Sequence, residues 1–192
     1  DFITLGDGGS IVVGGAGQDD IDVGAGNHIV FGDNGVLTGA ATGMILATQA
    51  LITMTTARSM SATVGDADDI KLGLGASTVI GGFGADIIDT TIVTGGLFVD
   101  GDDVIIGDNG RIVQNTADGS ATAHLTLVET TANSIGDIDT VTTGTGGDVI
   151  LLGEGADILT DMGGNNIVLG DHGRIVGLDQ APVDGQGRPI TL

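Results

Sequence analysis

Aspartate is the residue type through which this chain could do chemistry. The 192 residues include 26 acidic side chains against 5 lysines and arginines, a formal net charge of −21, and only Glu129 and Glu154 are glutamates. A solvated helical surface draws on glutamate and lysine, whereas a bias to aspartate is typical of turns and of ligands for hard cations. The composition therefore predicts cation binding by carboxylate oxygens.

The polar positions recur at a fixed distance from apolar residues. In the first part of the chain, apolar residues lie every nine positions, at Ile3, Val12, Ile21 and Val30. A polar residue stands two positions before each of them, and glycine predominates four positions before. Over the whole chain these polar positions are Asp1, Ser10, Asp19, His28, Asp68, Ser77, Asp86, Asp103, Asp139, Asp148, Asp157 and Asn166. Such a unit indicates a glycine-rich turn followed by a short strand.

A longer repeat groups these nonapeptides into blocks. Three tetrapeptides, Gly-Asp-Asn-Gly at 32–35 and 107–110 and Gly-Asp-His-Gly at 170–173, each close a glycine-rich block and precede a glycine-poorer segment. We predict nonapeptide blocks at 1–35, 65–110 and 136–173, and spacers at 36–64, 111–135 and 174–192. A repeating unit of roughly 70 residues is typical of an array that buries its core by stacking.

One nonapeptide shows the pattern in full. Residues 14–22, Gly-Gly-Ala-Gly-Gln-Asp-Asp-Ile-Asp, match G-G-x-G-x-D-x-U-x at every fixed position. With about a dozen such units in register, the sequence resembles the RTX repeats of secreted bacterial proteins. The resemblance implies an all-β repeat protein, a parallel β-roll or β-solenoid in which two nonapeptides form one coil, with calcium ions held between the turns of stacked coils.

The spacers lack the nine-residue period and favour β-hairpins. Each begins with a short strand and ends with a longer run rich in threonine and valine, so we predict interspersed hairpins with a long second strand. For residues 44–54 a helix is the alternative. The hairpins could widen the roll or offer a lateral strand to another chain. In the second block the period slips near residues 91–99, which indicates an extra turn.

The coil length assigns the aspartates to two sides, because turns two nonapeptides apart stack on each other. On side one the polar position is always aspartate, whereas side two has serine, histidine, aspartate and asparagine. The predicted metal ligands are Asp1, Asp19, Asp22, Asp33, Asp66, Asp68, Asp86, Asp89, Asp103, Asp108, Asp137, Asp139, Asp148, Asp157 and Asp171. We expect several Ca²⁺ ions in a column on side one, because stacked carboxylates repel one another without cations. Side two should be patchy or empty, and the alternative throughout is metal-free Asx-turns.

Other features exclude several functions. The acidic net charge disfavours nucleic acid and anionic membranes as partners, and the absence of cysteine excludes disulfides and zinc–thiolate sites. There is no run of apolar residues long enough for a transmembrane segment. Arg111 and Arg174 occupy equivalent positions, which predicts salt links to neighbouring aspartates. No set of residues suggests catalysis, so we do not expect an enzyme.

We therefore expect a calcium-stiffened structural repeat segment of a long, secreted, extracellular filament, stalk or surface-layer protein. It would continue into similar units at both ends or associate with itself end to end. Two alternatives are the repeat region of a calcium-dependent adhesin and the calcium-binding appendage of a secreted enzyme. An adhesin that binds glycans would use aromatic platforms, and the chain has four phenylalanines and no tryptophan or tyrosine.

Overall fold

Strands form all the regular secondary structure in the described part of the chain. The computed structural model describes residues 1–40, 53–115 and 124–177, and within these ranges it has 19 strands and no helix. The prediction of an all-β fold with parallel sheets is confirmed. Accordingly, these ranges contain no helix that is long and apolar enough to cross a membrane.

Two of the sheets are parallel, and within each block the chain alternates between them. The first parallel sheet has the order β1 (Phe2–Leu5), β3 (Asp20–Val23), β7 (Asp69–Leu72), β9 (Ile87–Asp89), β15 (Thr140–Thr143) and β17 (Ile158–Asp161). The second has the order β2 (Ile11–Val13), β4 (Ile29–Phe31), β8 (Thr78–Ile80), β12 (Val104–Ile106), β16 (Val149–Leu151) and β18 (Ile167–Leu169). Each of the first three strands of a block thus leads into the opposite parallel sheet.

The apolar residue of each nonapeptide pairs with its counterpart on the neighbouring strand. Ile3 pairs with Ile21 and Ile21 with Ile70 in the first parallel sheet, and Val30 pairs with Val79 in the second. The pairing of Ile21 with Ile70 and of Val30 with Val79 bridges the first spacer. Consecutive blocks therefore stack directly, and each spacer leaves the stack and returns to it.

The spacers build a third sheet, which is antiparallel. Its order is β5 (Gly35–Ala40), β6 (Thr53–Ser59), β13 (Gly110–Asn115), β14 (His124–Thr130) and β19 (Arg174–Val176). The strands β5 and β6 pair antiparallel, as do β13 and β14, in agreement with the predicted hairpins. Pairing of β6 with β13 and of β14 with β19 joins the spacers into one sheet. The helix considered for 44–54 falls almost entirely outside the described residues, and its last two positions lie in β6.

Burial explains why strands of the two parallel sheets differ in sequence. The second parallel sheet lies between the other two: Val30 packs in the core with the first parallel sheet, whereas Phe31 packs in the core with the antiparallel sheet. Its strands are accordingly apolar, as in Ile-Val-Phe of β4, with Thr78 of β8 as the exception. The first parallel sheet has one buried face, and its strands alternate, as in Asp-Ile-Asp-Val of β3. Successive side chains of a strand point to opposite faces, so two buried faces require a continuous apolar run.

The extra turn predicted near residues 91–99 is a small hairpin. The strands β10 (Ile92–Thr94) and β11 (Leu97–Val99) pair antiparallel around Gly95 and Gly96, whose φ angles are 61° and 84°. Two consecutive positive φ angles are typical of the type I′ turn of a two-residue hairpin. The hairpin is inserted into the turn between β9 and β12, and it is the reason that the nine-residue period slips there.

The two equivalent arginines bind a glutamate instead of the predicted aspartates. Arg111 and Arg174 both lie opposite Glu129 in the antiparallel sheet. Their guanidinium groups approach its carboxylate at 2.7 Å and 3.2 Å, respectively. Residues directly opposite each other on neighbouring strands are close enough to pair. In the described residues, the register of the antiparallel sheet therefore decides the ion-pair partner of each arginine. The aspartate of the adjacent Gly-Asp turn is not that partner.

Candidate functional site

Side one is the edge at which the strands of the first parallel sheet begin, and the aspartates that directly precede these strands stack there. The column runs Asp1, Asp19, Asp68, Asp86, Asp139 and Asp157. From Asp19 onward, each backbone N–H donates to Oδ1 of the next aspartate, at 2.8, 2.9, 2.8 and 2.9 Å along the column. At its start, the charged amine of Asp1 lies 2.6 Å from Oδ1 of Asp19. Because Asp19 bonds to Asp68 and Asp86 to Asp139, the column of aspartates crosses both spacers without a break.

The second carboxylate oxygen of these aspartates has no hydrogen-bond partner. This Oδ2 atom is buried and unpartnered in Asp19, Asp68, Asp86, Asp139 and Asp157. Burying a polar group without a partner costs free energy, and burying a charge costs more. The protein therefore satisfies one oxygen of each carboxylate with its own backbone and leaves the other available.

Glycines keep a space open beside these unpartnered oxygens. A Cβ atom on Gly81 would collide with Oδ2 of Asp86 and with the carbonyl oxygen of Gly107 in the neighbouring turn. The same holds for Gly14, Gly32 and Gly107, which face Asp19, Asp68 and Asp139, respectively. A carboxylate oxygen and a carbonyl oxygen thus converge on one small space in each of these turns. Leu152 stands at the corresponding position before Asp157, so the last turn of the column departs from this arrangement.

A second set of aspartates fastens each block to the next. The carboxylate of Asp33, in the first block, accepts the backbone N–H of Phe83 in the second block at 2.5 Å. Asp108 repeats this contact one block later with the backbone N–H of Glu154, also at 2.5 Å. Oδ1 of both aspartates is buried and unpartnered. The block junctions therefore add further carboxylate oxygens to side one.

Burial raises the pKa values of Asp68, Asp86 and Asp139 in the column far above the ordinary 3.8. Burial and the neighbouring Asp139 carboxylate raise the pKa of Asp86 to about 9, although a backbone N–H donor lowers it. Burial likewise raises the pKa of Asp139 to about 8 and that of Asp68 and Asp108 to about 7. Burial also raises the pKa of Asp33 to about 6. Side one therefore disfavours negative charge unless a proton or a cation compensates it.

Side two, the opposite edge, has the same ladder with different residues. Its positions are Ser10, His28, Ser77, Asp103, Asp148 and Asn166. In each of the first five, the backbone N–H donates to the side chain of the next, at 3.2, 3.3, 2.7, 2.9 and 2.7 Å in order. Serine, histidine and asparagine therefore replace aspartate as acceptors. The ladder position requires a hydrogen-bond acceptor and not a carboxylate.

His28 takes the acceptor role in one tautomer. Its side chain is buried, and its Nδ1 accepts the backbone N–H of Ser10 at 3.2 Å. Nε2 lies 2.8 Å from the carbonyl oxygen of Gly24 and donates to it. A neutral imidazole has one donor and one acceptor nitrogen, so Nε2 carries the proton. Both ring nitrogens are engaged within the protein.

Three aspartates on side two could hold a metal ion. Asp100, Asp103 and Asp148 each offer a carboxylate oxygen, and these oxygens all lie within 4.8 Å of one another. Oδ2 of Asp103 and of Asp148 is buried and unpartnered. Burial raises the pKa of Asp103 to about 8 and that of Asp148 to about 6, and the nearby Asp100 carboxylate raises both. Asp100 is held in place by the backbone N–H of Gly146 at 2.7 Å and the hydroxyl of Thr90 at 3.0 Å.

Asp103 and Asp148 are among the predicted ligands, but Asp100 is not. It directly follows β11, so the inserted hairpin returns it to the turn edge. The nine-residue period could not place Asp100, because the hairpin interrupts that period. A local signal was present in the sequence Asp-Gly-Asp-Asp at 100–103. The carboxylates of side two thus meet in one cluster.

Five predicted ligands lie outside the side-one column, the block junctions and the cluster on side two. These are Asp22, Asp66, Asp89, Asp137 and Asp171, of which all but Asp89 are exposed. Asp66 accepts the adjacent backbone N–H of Ala67 at 3.0 Å, and Asp89 accepts the N–H and the hydroxyl of Thr91 at 2.9 and 2.7 Å. The bond between Asp89 and the N–H of Thr91 is that of an Asx-turn, whereas the bond of Asp66 joins adjacent residues.

The turn edges are the features from which a function can be inferred. Comparison of the chain with family models, with curated proteins and with solved structures gives no match.

Proposed function

We propose that the chain is a calcium-stiffened structural repeat segment of a long, secreted filament, stalk or surface-layer protein. The observation that carries the proposal is the row of buried, unpartnered Oδ2 atoms on side one, most of them beside a carbonyl oxygen in a space that glycine keeps open. Carboxylate and carbonyl oxygens are the ligands that Ca²⁺ prefers. The column aspartates would therefore hold several ions, and the cluster of Asp100, Asp103 and Asp148 would hold a further one.

Calcium would supply the positive charge that the buried carboxylates lack. The raised pKa values of Asp86 and Asp139 reflect how unfavourable an uncompensated charge is at these positions. An ion that binds the folded chain and not the unfolded chain adds its binding free energy to folding. The stack would then be rigid when calcium is bound and open when calcium is removed.

The strand arrangement supports the interpretation as a parallel β-roll of the RTX type. Short parallel strands alternate between two facing sheets, and the turns between them contain the glycines and aspartates of the nonapeptide. In such an array each unit contacts only its neighbours, so additional blocks lengthen the stack without changing its cross-section. The antiparallel sheet would brace the roll along its length. These properties suit a stalk or a filament.

An extracellular location follows from the proposed calcium dependence. Calcium sites of extracellular modules bind with dissociation constants of about 10⁻⁴–10⁻³ M. Sites of that strength stay empty in a calcium-poor cytosol and fill outside the cell. The chain would therefore be exported unfolded and would fold where it functions.

Circular dichroism in the far ultraviolet tests the proposal. At mildly alkaline pH, the chain should give a coil spectrum in chelator and a strand spectrum in millimolar Ca²⁺. Mg²⁺ at the same concentration is the control, because it demands a smaller octahedral site and loses its water reluctantly. A strand spectrum in chelator that calcium leaves unchanged would refute calcium-coupled folding.

A further inference from the structure

We infer that the outer face of the antiparallel sheet docks side by side on the outer face of the first parallel sheet of a second copy of this chain. The inference goes beyond the proposed function, because it names a partner and a contact across the width of the stack. It rests on the positions of the basic and acidic side chains on the two faces.

The outer face of the antiparallel sheet carries a row of arginines. The row crosses four neighbouring strands and runs Arg58, Arg111, Glu129 and Arg174. The adjacent residues in sequence pack in the core, so the row points outward; they are Ala57, Ile112, Val128 and Ile175. Three of the five lysines and arginines of the chain thus lie on this face, which we call the basic face.

The charges within this row do not balance. The single carboxylate of Glu129 pairs with both Arg111 and Arg174. Arg58 is exposed, and in the described part of the chain it forms no ion pair with a carboxylate. It also stands directly opposite Arg111, and like charges in directly opposite positions repel each other. The row can therefore accept further carboxylates.

The outer face of the first parallel sheet has the opposite charge. Its strands bury residues such as Ile21 and Ile70 on one side, so the residues between them point to solvent. The acidic residues on this outer side are Asp20 and Asp22 of β3, Asp69 of β7 and Asp89 of β9. Lys71 of β7 lies among them and pairs with Asp69 at 2.7 Å. Four carboxylates and one ammonium group leave this surface, the acidic face, with negative charge.

The charges on the two faces have the same spacing. Arg58 and Arg111 lie on neighbouring strands, and so do Asp20 and Asp69, which pair in register. Neighbouring strands lie about 4.8 Å apart in either kind of sheet. Two adjacent arginines can therefore meet two adjacent carboxylates, and a guanidinium group binds a carboxylate through two parallel hydrogen bonds. Because Asp20 and Asp69 also repel each other, one contact relieves the repulsion on both faces.

Apolar side chains lie beside the charges on both faces. Ile87 continues the row of Asp20 and Asp69 on the acidic face and is 49% exposed. On the basic face, Val36 lies opposite Arg58 and is partly exposed. Docking would bury this apolar surface next to the charge pairs, which adds to the stability of the contact.

The two faces lie on opposite sides of the molecule, because the second parallel sheet lies between the two sheets that carry them. A copy that docks through one face leaves its other face open. Since the two surfaces differ, the contact does not close on itself, and it lines up copies side by side. At a physiological ionic strength of about 0.15 M, exposed charges more than about 8 Å apart are largely screened. The charges of the two faces therefore decide the contact, and the net charge of the whole chain does not.

Sedimentation velocity of the folded chain tests the contact, with folding checked by circular dichroism. Wild type should form oligomers that depend on concentration and dissociate as salt is raised. Arg58→Glu removes the positive charge of the basic face, and Asp22→Lys removes most of the negative charge of the acidic face. Each variant alone should associate about tenfold more weakly. Mixed in equal amounts, they should form dimers, because each retains the face that the other has lost.

Two controls separate this contact from an effect of net charge. Lys71→Glu changes the net charge as much as Arg58→Glu does, but it adds to the acidic face and should associate at least as tightly as wild type. Asp7→Lys matches the charge change of Asp22→Lys at an exposed turn outside both faces. It should associate like wild type.

The possible results decide the contact independently of calcium binding, because folded chains are compared whether or not folding needs calcium. A wild-type chain that folds but stays monomeric would overturn the contact. So would a mixture that remains monomeric, or an Arg58→Glu chain that associates as wild type does. If one variant fails to fold, the other variant and its control of equal charge change decide, and equal association of these two overturns the contact.

Discussion

Side one and side two have the same pattern of backbone hydrogen bonds between stacked turns, but different side chains accept them. On both sides, a backbone N–H of one turn donates to a side-chain acceptor of the next, over similar distances. Side one fills every acceptor position with aspartate, whereas the first half of side two uses Ser10, His28 and Ser77. Stacking of the turns therefore needs an acceptor, and a carboxylate is only one way to provide it.

The difference shows what aspartate adds to the ladder. The N–H of Ser10 uses the single lone pair of Nδ1 in His28, and a serine hydroxyl is uncharged and has only the oxygen that accepts the N–H. A carboxylate accepts the N–H with one oxygen and keeps the other, which is buried and unpartnered in the column. In the proposed function, the ladder is therefore structural and the second oxygen binds the cation. The predictions that follow separate these two roles.

The largest effect should come from pH in the absence of calcium. Folding raises the pKa of Asp148 to about 6, of Asp68 to about 7, of Asp139 to about 8 and of Asp86 to about 9. The folded chain then binds more protons than the unfolded chain, so its stability is greatest below the ordinary pKa and falls as pH rises through this range. In chelator, the strand signal should be present in acid and lost towards pH 9, whereas in calcium it should persist. A metal-free chain that becomes more stable with rising pH would contradict the idea that protons neutralise the buried carboxylates.

Substitution of Asp86 should separate acceptor from cation ligand on side one. Asp86→Ala removes both roles and should lower the free energy of unfolding in calcium by about 3–5 kcal/mol, the range for breaking a buried charge pair. Asp86→Asn keeps an acceptor for the N–H of Asp68 but loses the charge. It should therefore be less stable than wild type in calcium and more stable in chelator. Urea denaturation in calcium and the pH at which the strand signal is lost in chelator measure this crossing, and an Asp86→Asn chain as stable as wild type in calcium would argue against an ion beside Asp86.

Periodicity explains how much of this architecture could be predicted. The nine-residue spacing of Ile3, Val12 and Ile21 predicted short strands, and the family resemblance implied parallel pairing and the stacking of aspartates. It could not predict that Asp19 stacks on Asp68 across a spacer, since that contact depends on where the spacer returns. Nor could it predict the partner of the arginines, which the register of the antiparallel sheet decides.

The apolar residues that flank the central residue of a strand indicate whether that strand is buried on both faces, and the nine-residue period does not. Phe31 and its equivalents continue an apolar run past the central residue, and such a run indicates a strand buried on both faces. The spacers therefore had to cover the second parallel sheet. The sequence prediction left their role open, because the covering strands are distant in the chain and have no fixed period.

The cluster on side two should respond to Asp100 without large loss of stability. Asp100→Ala removes one of three carboxylates and should abolish about one bound calcium ion in a calorimetric titration, with a stability loss of about 1–3 kcal/mol from its lost hydrogen bonds. Asp102→Ala is the matched control, because Asp102 lies two residues from Asp100 and has the same charge. Asp102 is exposed, and among the described residues it accepts only the N–H of Gly147. An unchanged ion count in Asp100→Ala would contradict a metal ion at this cluster.

The smallest effects should occur in the carboxylate-free half of side two, where two serines occupy equivalent positions with different duties. Oγ of Ser77 is buried and accepts the N–H of His28 at 3.3 Å, so Ser77→Ala leaves a buried donor without a partner and should cost about 1 kcal/mol. Ser10 lies in the terminal turn, and in the described residues its hydroxyl accepts no N–H, so Ser10→Ala should stay within about 0.5 kcal/mol of wild type. Neither substitution should move the midpoint of a calcium titration, because neither removes a carboxylate. Thermal denaturation in calcium measures the stability difference, and a shifted calcium midpoint in Ser77→Ala would mean that this half of side two also binds an ion.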